Sequence, residues 1–363
     1  MPNRVERLLS WLPEAAGDVA VDGALITSPA NRFYLTGMET SAGYVLATRK
    51  EAYFIVDFRY YEAACKQVRH CKVVEFSKIG DALKEIARRD GLRGILLEYE
   101  GISLSSAQQM ETIFQTANAR VVKDGALDRL LHQMRKIKEP EEIRAIKGAQ
   151  EITDASFRHI LKKIEEGVTE RELALEIEFF MRNHGAEKVS FDLIVVSGKN
   201  SSLPHGVPGD KPFQKGDFIT MDIGATYHHY CSDMTRTVAL GPITEDQRIV
   251  YETVRKAQQA ALNLIGPGRP CKEVDAAARD VIAQAGYGRC FGHATGHSVG
   301  LEIHEEPRCG PASQDVLEPG VVMTVEPGIY LPDRFGVRIE DMVVITENGY
   351  RNFTESPKDL ILL

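Results

Sequence analysis

The stretch Asp217–Leu240, DFITMDIGATYHHYCSDMTRTVAL, decides how this chain folds. Two β-rich segments flank the turn-like GATYHH, a pattern that predicts a β-hairpin. Asp222 and Asp233 lie symmetrically about Tyr227 and His228. Regular antiparallel pairing would therefore set them face to face, with Cβ atoms about 5 Å apart. Like charges directly opposite each other destabilise a ladder, so two acids in apolar strands need a positive partner.

A second stretch repeats the device. Val321–Ile345, VVMTVEPGIYLPDRFGVRIEDMVVI, holds two β-rich segments about the turn LPDRFG, with Glu326 and Glu340 symmetric about Asp333. They too should face each other unless a β-bulge shifts the register. Arg338 precedes Glu340 by two and so shares its face of the strand, as a charge partner for the acids. Between the hairpins lies Phe291–Arg308, FGHATGHSVGLEIHEEPR, with His293, His297 and His304 among only ten histidines in the chain. His293 and His297 have the spacing of a zinc-binding helix motif. Ala294 replaces that motif's Glu, however, and Gly292, Gly296, Ser298 and Gly300 disfavour a helix. The stretch reads as a loop leading into a strand. Two facing acid pairs joined by a histidine cluster are poorly explained as surface decoration, and a pair of divalent cations is the simplest partner. Four carboxylates with one or two imidazoles favour Mn²⁺, Co²⁺, Fe²⁺ or Zn²⁺ over soft-metal thiolate chemistry. Two such ions with a shared water make a hydrolytic arrangement.

Working outward, long helix, glycine, short helix, glycine and strand occur twice. The first helix starts at Pro140 and runs to Gly167; the capping box Thr169/Glu172 opens a shorter one ending at Gly185. In the second half Thr244/Gln247 opens a long helix to Gly266, and a shorter helix ends at Gly286, 101 residues beyond Gly185. This implies an α+β domain with internal pseudo-symmetry whose strands enclose a site between the halves. Residues 1–128 instead alternate short apolar strands with helical stretches, an α/β domain. The expected domains are 1–128 and 129–363.

Bulk properties narrow the function. The chain has 363 residues, 43% hydrophobic and 26% charged, enough for two domains with sizeable cores. A net charge of -8 argues against electrostatic binding of nucleic acid or an anionic membrane. Six scattered cysteines with no Cys-x-x-Cys pair suit free thiols in a reducing cytoplasm. The N-terminal residues lack the apolar run of a signal peptide, and no segment approaches a membrane span.

Five ordered blocks then resemble a known family. PHG, MDIGA with CSDMTRT, HATGHSVGLEIHE, TVEPGIY and VRIED resemble, in order and spacing, the pita-bread metallopeptidases, nearest to the Xaa-Pro dipeptidase (prolidase) and Xaa-Pro aminopeptidase group. NRFYLTG and VDFRYYEAA resemble the creatinase-type N-terminal domain. The resemblance implies a creatinase-like α/β domain followed by a pita-bread catalytic domain. It implies Asp222, Asp233, His297, Glu326 and Glu340 as ligands of two divalent ions, Mn²⁺ or Co²⁺ foremost and Zn²⁺ or Fe²⁺ as alternatives, with Asp233 and Glu340 bridging. It further implies His304 on the substrate carbonyl, His205 and His293 lining the pocket, and Glu326 receiving the water's proton. Arg308 would bind the carboxylate of a dipeptide, and Tyr230 would support the ligands from behind. The implied reaction is hydrolysis of the bond before proline in Xaa-Pro dipeptides, with aminopeptidase action on longer peptides as the alternative. A homodimer is also implied. Some members of the fold bind without catalysis, but those lose ligands, whereas all five are present here. Ala294 and Ser298 stand where the family usually has Gly.

Overall fold

The computed structural model describes residues 3–363 and divides into two compact units, one ending at Arg135 and the other running Lys136–Leu363. The first unit is a six-stranded mixed sheet. Its strands are β1 (Gly23–Ile26), β2 (Tyr44–Thr48), β3 (Ala52–Val56), β4 (Lys72–Glu75), β5 (Gly94–Leu97) and β6 (Arg120–Val122), in the order β4-β3-β2-β1-β5-β6. Helices α1 (Arg4–Trp11), α2 (Pro29–Thr36), α3 (Phe58–Gln67), α4 (Ile79–Asp90) and α5 (Leu104–Gln115) alternate with the strands, as the sequence pattern predicts. The expected boundary at 128/129 falls inside α6 (Ala126–Lys136), which the first unit holds fast. Asp128 is buried and accepts the backbone N–H groups of Tyr99 and Glu100, while Arg135 donates to Asn31 at 3.0 Å.

The second unit is built twice over. Its first half runs α7 (Pro140–Ile160), α8 (Glu170–Asn183), β7 (Ile194–Ser197), β8 (Phe218–Ile223), a short hairpin β9 (Ala225–Tyr227) and β10 (Tyr230–Cys231), then β11 (Met234–Ala239). The second half runs α9 (Glu245–Leu264), α10 (Cys271–Gln284), β12 (Gly296–Ser298), β13 (Glu305–Cys309), β14 (Val322–Val325), a hairpin β15 (Gly328–Leu331) and β16 (Phe335–Arg338), then β17 (Asp341–Thr346) and β18 (Gly349–Asn352). The sheets β7-β8-β11 and β13-β12-β14-β17-β18 repeat one layout, in which two neighbouring strands continue into an inserted hairpin. Each half buries its own helix pair on its own sheet: Phe157, Ile177 and Met181 against Val195 and Met221, and Val254, Ala261 and Ile282 against Met323 and Val343.

Local chemistry explains the boundaries. Thr169 with Glu172 and Thr244 with Gln247 form reciprocal capping boxes, satisfying the first free amides of α8 and α9. The helix from Pro140 stops at Ile160, short of Gly167. The single strand expected after Gly185 is interrupted, with pairing only at Lys188–Val189 and in β7.

Candidate functional site

The two inserted hairpins bring the acids together, though not by one mechanism. Flanking Glu326 and Glu340, the ladders pair Val325 with Asp341 and Gly328 with Arg338. Both keep the register that sets Glu326 level with Glu340, as expected. The other hairpin departs from expectation: Asp222 pairs with Thr235, not Asp233. The turn falls on His228 and His229, both at positive φ (47° and 68°), one residue beyond the midpoint read from the sequence. That moves every cross-strand partner by two. Asp233 sits instead at the bend between β10 and β11, where a Cβ on Gly224 would approach Ser232 O to 2.1 Å.

Strand β11 lies against the chain at 338–340: Glu340 N donates to Thr235 O at 3.1 Å and Thr237 Oγ1 to Arg338 O at 3.0 Å. Behind it, fully buried Arg236 pairs with buried Asp341 at 2.8 Å, which also takes Lys358 at 2.7 Å. This seam fixes the two hairpins as one surface.

His297 completes the cluster. As read from the sequence, its segment is a loop entering strand β12 and not a helix. Gly296 is required beside it, since a Cβ there would lie 1.9 Å from Thr324 O. His297 Nδ1 donates to Ser298 O at 3.1 Å, which leaves Nε2 as a free base 3.3 Å from Glu326 and 3.5 Å from Asp233. Burial, then the neighbouring His304, pushes its pKa down to about 3, so the imidazole is neutral. Donor atoms of Asp233, His297 and Glu340 all lie within 4.8 Å of one another.

The carboxylates are held against their own repulsion. Burial first, then Glu340, Asp222 and Glu326, raises Asp233 well above the carboxylate range. Burial and then Glu326 and Asp222 do the same to Glu340, and burial pushes Glu326 up to about 7. Each acid has one defined hydrogen bond or none: Thr235 donates to Glu340 at 2.7 Å, Thr324 to Glu326 at 3.1 Å, and Arg338 to Asp222 at 2.6 Å. Buried oxygens of Asp222 (Oδ1), Asp233 (Oδ1) and Glu340 (Oε1) have no hydrogen-bond partner. Buried acceptors left this way are costly unless a cation takes them. An oxygen-rich set with one neutral imidazole fits hard or borderline divalent ions.

Around this cluster opens a cavity of about 910 Å³. Its lining includes His205, His293, His304 and Arg308, all expected at the site, together with Asp222, Asp233, His297, Glu326, Arg338 and Glu340. His304 packs edge-on against His297, with centroids 4.5 Å apart. Arg308 lies opposite His297 in the β12/β13 ladder, and its Nε is 3.5 Å from Glu306. Arg338 is buried with its donors occupied by Asp222, Tyr330, Thr235 and Pro204 O, so it braces the site's wall. His293 Nε2 accepts from Tyr330 OH at 2.8 Å, and burial lowers its pKa to about 4. Tyr230 donates to Glu142 at 2.9 Å, directed into helix α7.

Sequence reasoning missed Thr235, Thr324 and Tyr330. For two of them the signal was available, since Thr235 lies two positions from Asp233 and Thr324 two from Glu326, where a hydroxyl can reach. Tyr330 pairs with Gly336 across its hairpin and meets Arg338 only on the diagonal. It also missed the apolar wall of Phe191, Leu193 and Ile303. Of the two departures from the family's glycines, Ala294 lines the cavity, and the Ser298 hydroxyl faces away, accepting from buried Lys138 at 2.9 Å.

Residues 144–347 match the model of metallopeptidase family M24, and residues 4–137 match the creatinase/prolidase N-terminal domain. The chain belongs to metallopeptidase family M24, whose members imply divalent metal ions at such a site. It is similar to the Xaa-Pro dipeptidase of Pyrococcus furiosus, 40% identical over 99% of this chain and 100% of that one. Among solved structures it resembles an Xaa-Pro dipeptidase from Bacillus anthracis, with TM-score 0.93 and 43% identity over 99% of both chains. It also resembles an X-Pro aminopeptidase from Thermotoga maritima, with TM-score 0.88 and 36% identity over 99% of this chain and 100% of that one.

Proposed function

We propose that the chain is a metallo-exopeptidase that cleaves the bond before proline, acting on Xaa-Pro dipeptides. The observation that carries this is the buried cluster of Asp222, Asp233, His297, Glu326 and Glu340 at the floor of a cavity that also presents Arg308. The five residues would hold two divalent ions, with Mn²⁺ or Co²⁺ favoured and Zn²⁺ or Fe²⁺ as alternatives. Bound there, such ions supply Lewis acidity and make water acidic enough to react near neutral pH.

The protein's own groups do the rest. Glu326 would receive the proton of that water. His304, facing the cavity beside His297, donates to the substrate carbonyl and to the oxyanion that develops there. His205 and His293 line the space for the substrate's side chains. Arg308 faces the end of the peptide beyond the scissile bond, where its planar fork can grip a C-terminal carboxylate. Arg338 orients Asp222 through its 2.6 Å hydrogen bond.

The named relatives support dipeptidase action over aminopeptidase action. We take the chain to act as a homodimer, on the family resemblance alone, and to work in the cytoplasm, in keeping with six free cysteines. No helix among the described residues is long and apolar enough to cross a membrane. The test is hydrolysis of Ala-Pro, Gly-Pro, Ala-Pro-Ala and Ala-Ala after chelation and add-back of Mn²⁺, Co²⁺ or Zn²⁺. Cleavage confined to Ala-Pro and Gly-Pro is expected. Equal cleavage of Ala-Pro-Ala selects the aminopeptidase reading, and light scattering at the mass of one 40.4 kDa chain would exclude the dimer.

A further inference from the structure

Glu170, the first residue of α8, is fully buried and far from any acid of the site's cluster in sequence, yet it is not a bystander. One of its oxygens accepts from Ser197 N at 2.8 Å, Ser197 Oγ at 3.0 Å and Asn200 Nδ2 at 3.1 Å. The other accepts from Gly209 N at 3.1 Å and again from Asn200 at 3.3 Å. Ser197 ends strand β7 and Gly209 closes the loop that follows, so one carboxylate ties the two ends of residues 197–209 together. The helix backbone adds to the clasp: Glu170 N donates to Lys211 O at 3.1 Å and Arg171 N to Gly209 O at 3.0 Å.

Between those ends the loop turns toward the cavity. Pro204, His205, Gly206, Val207 and Pro208 line it, and Arg338 Nη1 donates to Pro204 O at 3.2 Å. His205 and Val207 are solvent-exposed, with Val207 at 84%, so no packed core holds them in place. Their position depends on the loop's roots and on two contacts between them, Gly336 N donating to Ser201 Oγ at 2.9 Å and Arg338 to Pro204 O. A charged acceptor serving several donors is the strongest local device for that.

We propose that Glu170 is a positioning residue for the substrate-facing loop 197–209, acting on the reaction through His205. This rests on the peptidase reading above, so one arm of the test does not use the reaction. Glu170→Gln keeps the side chain's shape but places an NH₂ among donors. Exposed Lys199 lies within the clasped loop, so trypsin cleavage after Lys199, read by mass spectrometry under native conditions, reports the loop's release directly. Cleavage should accelerate about 10-fold or more in Glu170→Gln at a temperature well below its melting transition. With Ala-Pro, kcat/KM should fall by about 10- to 100-fold. In the double variant with His205→Ala, kcat/KM should match His205→Ala alone, because both changes remove the same contribution. Asn200→Ala, which removes two of the carboxylate's five hydrogen bonds, should show the same effects in smaller measure and replaces Glu170→Gln if that variant does not fold. Unchanged cleavage after Lys199, or losses in kcat/KM that multiply in the double variant, would overturn the proposal. If even the wild-type protein leaves Ala-Pro intact, the peptidase reading fails, while the protease arm still decides whether Glu170 clasps the loop.

Discussion

Replacing Arg308 by alanine should raise KM for Ala-Pro while leaving cleavage of any tripeptide almost untouched. The magnitude follows from where Arg308 stands. It is level with His297 across the β12/β13 ladder, so its side chain is directed to the same cavity. Its side chain is 57% exposed, however, and Nε already lies 3.5 Å from Glu306. A hydrogen bond to a charged partner contributes about 1.5–3 kcal/mol, and exposure together with competition from Glu306 places Arg308 at the lower end. About 1.5 kcal/mol corresponds to a KM roughly 10-fold higher. Initial-rate kinetics on Ala-Pro and Ala-Pro-Ala, for wild type and Arg308→Ala, read both effects. An Arg308→Ala enzyme with unchanged KM for Ala-Pro would refute the reasoning and return Arg308 to the role of a surface partner of Glu306.

Asp233→Asn keeps the side chain's shape and removes a charge whose Oδ1 has no protein partner, so the fold should survive while turnover falls by at least ~100-fold; circular dichroism and single-turnover assays check both halves. In chelated protein, burial and mutual repulsion raise the folded-state pKa of Asp233 and Glu340 and bring Glu326 to about 7, all above their unfolded values. The folded state therefore holds protons that the unfolded state releases, so this stability is present at low pH and is lost as pH rises through about 7. Buried neutral His293 and His297, with pKa values lowered to about 4 and about 3, take up protons on unfolding and oppose this below about pH 6.5. Melting temperature of the chelated protein should therefore fall between about pH 6.5 and 8, and added Mn²⁺ should raise it most at the upper end; a melting temperature that climbs with pH over that range would contradict this. Arg236→Ala should destabilise the protein by about 3 kcal/mol, the low end for breaking a buried pair because Lys358 still faces Asp341 at 2.7 Å; urea titration measures it.

Much of the fold was legible because helix ends and strand periods are local signals. Thr169/Glu172 and Thr244/Gln247 announce α8 and α9 through side chains that bond their own backbone, and the repeated order of elements announces the two halves. Residues of the cluster were legible because acids in apolar strands contradict the pattern around them. What could not be read locally was the geometry joining them. His228 and His229 adopt positive φ without the Gly or Asn that marks such a turn, so the register about Asp222 was misplaced. The helix beginning at Ala126 carries no break near 128, because its attachment to the first unit runs through Asn31, Tyr99 and Glu100, distant in sequence. In the sequence alone, Glu170 is one more acid in the first turn of a helix. Its role as a clasp arises only when Ser197 and Gly209 fold back onto it.

The central claim is that the buried acids and His297 form a divalent-metal site that drives peptidase chemistry. The direct measurement is elemental analysis of gently purified protein coupled to Ala-Pro hydrolysis through chelation and metal add-back. The account predicts about two divalent ions per chain, loss of activity on chelation, and its return with Mn²⁺ or Co²⁺ in step with occupancy. Full activity in protein stripped of metal would contradict it.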